Sequence, residues 1–137
     1  MTAIVDTGPL VALLDIRESH HAWARETLGG LETPLLTCEA VISEACFVLG
    51  RVKGGRNAVL SLVSRGIVAP TFRLDTEIEP VRRLMAKYAS VPMSLADACL
   101  VRMTELSPRT AVITLDDDFR VYRRNGRQAV PVVMPNR

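Results

Sequence analysis

Short apolar runs that alternate with segments of helical period narrow the fold more than any other feature of this sequence. The runs are Ala3-Ile4-Val5, Leu35-Leu36-Thr37, Ile67-Val68-Ala69, Ala111-Val112-Ile113-Thr114 and the stretch from Ala129 to Val133. Each is too short for a stable helix, and the β-branched residues among them suit strands buried on both faces. Helices are expected between them over 10–14, 20–28, 39–52, 57–64, 76–88 and 94–104, with a short helical piece running to about Tyr122. In the third of these, Val41, Ala45, Val48, Leu49 and Val52 recur at helical spacing. Ser19 is placed to cap the second and Gly29-Gly30 to end it. Thr76-Glu77-Ile78-Glu79 reads as a capping box, with Glu79 spaced to pair with Arg83. Strand–helix alternation of this kind implies an α/β domain with a parallel sheet covered on both faces by helices. With 137 residues and no repeat, linker or low-complexity segment, residues 1–137 are read as one domain.

Composition removes several function classes. Aromatics are 4% of the chain, so the core must be aliphatic, and the scarcity argues against an RRM-type base-stacking platform. A net charge of +2 means that any basic surface must come from local clustering. Cys38, Cys46 and Cys99 are odd in number and lack CxxC spacing, which fits reduced, buried thiols in a cytoplasmic protein better than disulfides or zinc. They also lack a histidine partner for thiol catalysis. The first apolar run has no preceding Lys or Arg and is interrupted by Asp6, so no signal peptide is expected. No apolar stretch approaches the ~18 residues of a membrane span.

Most acidic residues have a simple surface reading, but four do not. Asp6 and Asp116 each follow an apolar strand, and parallel strands bring their carboxyl ends to one sheet edge. Glu44 lies on the apolar side of its helix with Val41 and Val48, and Asp97 lies beside Met93, Leu100 and Val101 at helical spacing. Each also has a structural reading. Asp6 and Asp116 can cap the helices that follow them, Ser94 and Asp97 satisfy the capping-box pattern, and Glu44 can reach water from the margin of its stripe. Taken together they suggest more. Carboxylates held close in partly apolar surroundings repel one another, and a divalent cation with a taste for oxygen ligands, Mg²⁺ or Mn²⁺, removes the conflict. Thr114 and Asp116, two apart, face the same way in an extended chain, and Asp118 rejoins the acids once the chain turns. Alternatively, Asp116-Asp117-Asp118 is simply a solvated acidic turn.

With Ile4-Val5-Asp6-Thr7 at the first strand end, Glu44 on a central helix, Ser94-Leu95-Ala96-Asp97-Ala98 at a helix start and Thr114-Leu115-Asp116-Asp117-Asp118-Phe119 after a late strand, the chain resembles a PIN domain, and within that family a VapC-type ribonuclease toxin. The resemblance covers nearly the whole length. It implies a three-layer α/β/α sandwich around a central parallel sheet, and RNA cleavage dependent on Mg²⁺ or Mn²⁺. It implies that Asp6, Asp97 and Asp116 bind metal, that Glu44 joins them directly or through water, and that Thr7, Thr114 and Asp118 are auxiliary. It also implies a homodimer and a small cognate antitoxin as partners. Asp117 is one carboxylate more than the pattern requires.

An RNA path needs positive charge near such an acidic centre. Arg51, Lys53 and Arg56 frame a glycine turn, and Arg120, Arg123, Arg124 and Arg127 follow the acidic run; each alone fits ordinary solubility. His20 and His21, adjacent on a helix, point in different directions and read as surface residues. Trp23 and Leu28 offer a face for dimerisation, though Trp23 serves equally as core. Two other readings compete: a Mg²⁺-dependent phosphatase or phosphotransfer domain, and a non-catalytic protein-binding module. Gly8 occupies the position where a haloacid-dehalogenase-type phosphatase would want its second aspartate, which counts against the first.

Overall fold

The computed structural model describes residues 2–136. In chain order the elements are β1 (Thr2–Val5), α1 (Thr7–Leu14), α2 (His21–Gly29), β2 (Leu35–Leu36), α3 (Glu39–Val48), α4 (Gly55–Ser64), β3 (Val68–Ala69), α5 (Ile78–Lys87), α6 (Leu95–Leu106), β4 (Thr110–Ile113), β5 (Arg123–Arg124), β6 (Gln128–Ala129) and β7 (Val132–Val133). Short 3-10 turns cover Leu49–Arg51 and Asp117–Arg120.

The two longest strands, β1 and β4, lie side by side in parallel register from Thr2↔Thr110 to Val5↔Ile113. Ala3, Ile4 and Val5 and the whole of β4 are buried, as strands covered on both faces must be. β2 and then β3 extend the sheet beyond β1, and β7 extends it beyond β4, giving the all-parallel order β3-β2-β1-β4-β7. Thr37 Oγ1 donates to the Val5 carbonyl at 2.8 Å, tying the end of β2 to that of β1. The chain moves outward from β1 to β3 and then crosses back to β4. With right-handed crossovers, that reversal puts α1–α4 on one face and α5 and α6 on the other, in keeping with the packing of α1, α3 and α4 together and of α5 on α6. The result is the three-layer α/β/α arrangement. A main core surrounds the sheet, and a smaller one (Val11, Ala45, Leu49, Val59) joins α1, α3 and α4.

Several local expectations are refined. α1 begins at Thr7 rather than Leu10, because Asp6 is its N-cap and accepts the Thr7 N–H at 2.8 Å. α2 starts at His21 without a side-chain cap, so Ser19 is not its cap. The third helix stops at Val48 and tightens into a 3-10 turn before Gly54, which has φ +72°. The Thr76–Glu79 capping box does not form. Glu77 is drawn into an ion pair with Arg102 at 2.8 Å, and Glu79 pairs with Arg82 rather than Arg83. The stretch from Ala129 to Val133 is divided between two sheets. Ala129 closes a hairpin with Arg123, and Val132 and Val133 join the main sheet. Leu28 is buried in the core with Trp23 packed partly against it, so both contribute to the fold. The cysteines are free thiols. Among the described residues no helix is long and apolar enough to cross a membrane.

Candidate functional site

The strand order reverses between β1 and β4, and in open parallel sheets the crevice beyond the carboxyl ends at such a point is where ligands bind. Asp6 leaves β1 there, its N–H still bonded to the Ile113 carbonyl at 3.0 Å, which holds it beside the end of β4. Thr114, the next residue of that strand, donates its hydroxyl to Asp6 Oδ2 at 2.7 Å and accepts the Asp116 N–H at 3.0 Å. Asp116 caps the 3-10 turn that follows, its Oδ1 accepting the Asp118 N–H at 2.9 Å. Asp97 comes from the opposite helical layer, in the first turn of α6. Its capping box with Ser94 is fully formed: the Asp97 N–H reaches Ser94 Oγ at 3.0 Å, and Asp97 Oδ2 accepts the Ser94 N–H at 3.4 Å. The capping and clustering readings of these acids therefore hold together.

Asp6, Glu44, Asp97 and Asp116, with Thr7 and Asp118, all line one open cleft of about 820 Å³. Glu18, His20 and Asp117 also border it. His21 does not; its Nδ1 lies 2.7 Å from the Ala12 carbonyl, joining α2 to α1. Glu44 is exposed on the cleft wall, whereas Asp6 is 7% exposed at its floor. A smaller, more apolar hollow of about 280 Å³ beside the start of β4 contains Glu77, already paired with Arg102, and none of these acids.

The electrostatics follow from this placement. Burial, chiefly, pushes Asp6 up to about 6; hydrogen bonds from Thr114 and Thr7 oppose the rise, and the charges of Asp97 and Asp116 add to it. Asp97 is raised as well, again mainly by burial and partly by Asp116, with Tyr122 and Ser94 opposing. The charges of Asp97 and Asp116 thus make ionisation of Asp6 more costly, and that of Asp116 does the same for Asp97. Among the described residues no three His, Cys, Asp or Glu side chains close on a point as an all-protein metal cage. The donors instead border an open cleft, which suits a hard cation that keeps several waters and takes only a few carboxylates. One further observation fits such a guest: Thr7 Oγ1, on the cleft wall, is buried and has no hydrogen-bond partner among the described residues. A buried hydroxyl left in that condition is costly unless something polar meets it.

The basic residues are arranged less simply. Arg51 is engaged by Asp15 at 3.3 Å and Glu18 at 2.6 Å. Lys53 and Arg56 border a separate exposed hollow at the 50–57 turn. Arg120 lies 3.6 Å from Asp117 in an exposed pair. Arg123 uses one guanidinium nitrogen on the carbonyls of Arg120, Val121 and Tyr122, and Arg124 similarly ties the carbonyls of Thr104 and Pro108.

One participant is absent from any reading of acids alone. Tyr122, wholly buried, donates its hydroxyl to Asp97 Oδ2 at 2.8 Å. Burial and the neighbouring carboxylate hold this phenol well above its ordinary range, so it stays a donor. No local signal in the sequence marks this pairing, since Asp97 lies 25 residues earlier.

Comparison with known proteins agrees with this geometry. A sequence model of the PIN domain family matches residues 3–125. Ribonuclease VapC26 of Mycobacterium tuberculosis is 26% identical over 117 residues, covering 82% of this chain and 85% of that protein. Among solved structures, VapC20 of Mycobacterium tuberculosis, described as a Sarcin-Ricin loop cleaving toxin, superposes with a TM-score of 0.72 at 20% identity, covering 88% of this chain and 94% of that one.

Proposed function

The chain belongs to the PIN domain family, and from that premise we propose that its acidic cleft is the active site of a divalent-metal-dependent endoribonuclease, the toxin of a toxin–antitoxin pair. The observation that carries the reading is the meeting of Asp6, Asp97 and Asp116, from three separate segments, in one cleft where two of them are held above their ordinary carboxylate range. The similarity to a protein named as a ribonuclease supports RNA as the substrate.

Asp6, Asp97 and Asp116 would hold Mg²⁺ or Mn²⁺, with Glu44, which lines the same cleft, joining them directly or through water. Bound there, such an ion lowers the pKa of a water and stabilises charge on the departing oxygen of a phosphodiester. The protein's own work is orientation. Thr114 orders Asp6 and the backbone of Asp116 with one hydroxyl, and the Ser94 box fixes Asp97 at the start of α6. Thr7 offers its unpartnered hydroxyl to a water or phosphate oxygen. Asp118 stands beside the cleft as an auxiliary carboxylate. Because Arg51 and Arg123 are already engaged within the fold, Lys53 and Arg56 are the first candidates for gripping RNA phosphates, followed by Arg120, whose exposed pair with Asp117 is long at 3.6 Å.

A small cognate antitoxin and a homodimer belong to the same reading. Phe47, 86% exposed on α3, and Leu60, 53% exposed on α4, are apolar surface that a protein partner would cover. The direct test of function is RNA cleavage by the purified protein as Mg²⁺ or Mn²⁺ is titrated against a chelator. Cleavage that appears with metal supports the proposal. Cleavage unchanged in chelator, or tight metal-independent partner binding without cleavage, contradicts it.

A further inference from the structure

We propose that Tyr122 is the positioning residue of Asp97, orienting that carboxylate so that one oxygen is tied to the protein and the other is presented to a cation. The inference rests on the reading of Asp97 as a metal-binding residue.

The tyrosine ring is held from several sides. Tyr122 follows the 3-10 turn that Asp116 caps, its N–H bonded to the Asp118 carbonyl at 3.1 Å. Its side chain is fully buried, with Tyr88 at 5.2 Å between ring centroids and Phe119 at 5.3 Å, both edge-on. Such contacts leave the ring little freedom, so its hydroxyl sits at a defined place. That place is 2.8 Å from Asp97 Oδ2, the oxygen that also accepts the Ser94 N–H. Both of these bonds fall on Oδ2. A half-buried carboxylate with one oxygen doubly engaged, on a cleft shared with Asp6 and Asp116, is oriented to meet a ligand through the other.

The same tyrosine joins the two acidic segments mechanically. It is carried by the turn that Asp116 begins and reaches back to Asp97 on α6. Groups that hydrogen-bond to metal-binding side chains orient them, and their removal typically costs about 10- to 100-fold in metal affinity or activity.

Tyr122→Phe keeps the ring and both aromatic contacts while deleting the hydroxyl. A matched control lies in the same cluster: Tyr88 accepts the Arg123 N–H at 2.8 Å and is not among the residues lining the cleft. Mn²⁺ binding to the whole purified chain, without RNA, is measured by calorimetry or electron paramagnetic resonance for the parent, Tyr122→Phe, Tyr88→Phe and Asp97→Asn. The expected result is loss of affinity by about tenfold or more in Tyr122→Phe, near-parental affinity in Tyr88→Phe, and the largest loss in Asp97→Asn. Parental affinity in Tyr122→Phe with a large loss in Asp97→Asn overturns the positioning role and leaves the metal reading standing. An equal loss in Tyr88→Phe also overturns it, since loosening of the aromatic cluster then explains the effect. Parental affinity in Asp97→Asn removes the premise and the inference with it.

Discussion

Thr114 Oγ1 donates to Asp6 Oδ2 at 2.7 Å, joining two residues 108 positions apart in the chain at the point where β1 and β4 end. The same hydroxyl accepts the Asp116 N–H, so one threonine sets the geometry of two acids. Thr114→Val should preserve the shape and remove both bonds. Asp6 is then without a hydrogen bond that holds its carboxyl down, and its pKa rises further. RNA cleavage is expected to fall by about 10- to 100-fold, with Thr114→Ser restoring most of it. Cleavage kinetics on the two variants check this.

Asp6 makes metal-free stability depend on pH. Its folded carboxyl titrates at about 6, against 3.8 ordinarily. Below about pH 4 both states hold the proton; between about pH 4 and 6 only the folded state does, and the contribution is lost as pH rises through the folded value. The difference corresponds to about 3 kcal/mol at most. Asp6→Asn in chelator should therefore unfold at higher urea than the parent at pH 7 and show no such gain below pH 4. The gain is reduced by whatever hydrogen bonding to Thr7 and Thr114 the amide fails to reproduce.

Two glycines of the basic turn separate packing from flexibility. A Cβ at Gly55 would stand 2.2 Å from the Leu49 carbonyl oxygen, whereas one at Gly50 would meet nothing within 4 Å. Gly55→Ala should lose at least the ~1–3 kcal/mol typical of overpacking. Gly50→Ala should be neutral or stabilising by up to about 1 kcal/mol. Thermal unfolding of the pair measures both, and loss of Gly55 would also displace Lys53 and Arg56.

Lys53→Ala, Arg56→Ala and Arg120→Ala together should weaken RNA binding at low salt and flatten its dependence on ionic strength, because fewer neutralised phosphates release fewer counterions. Binding measured across a salt series in a cleavage-inactive background is the check.

Much of this was legible in the sequence because the controlling physics is local. Short β-branched runs announced the strands, and a carboxylate directly after such a run had to emerge at the sheet edge. Thr114 and Asp116 were readable from the two-residue period of extended chain. What escaped depended on partners distant in sequence. Glu77 is taken from its own helix start by Arg102, and Arg51 by Asp15 and Glu18. Tyr122 finds its hydrogen-bond partner in Asp97, 25 residues earlier. The β5–β6 hairpin is a different case. Asn125 and Gly126, with φ of 50° and 82°, form a strong local turn signal, but the division of the following apolar run between two sheets is set by tertiary pairing.

The central claim, that carboxylates from separate segments form one catalytic metal site, is tested most directly by metal-supported RNA cleavage in Asp6→Asn and Asp97→Asn, with circular dichroism confirming the fold. Each substitution alone is predicted to abolish cleavage while the protein stays folded. Parental cleavage rates in both variants at the same metal concentration would contradict the claim.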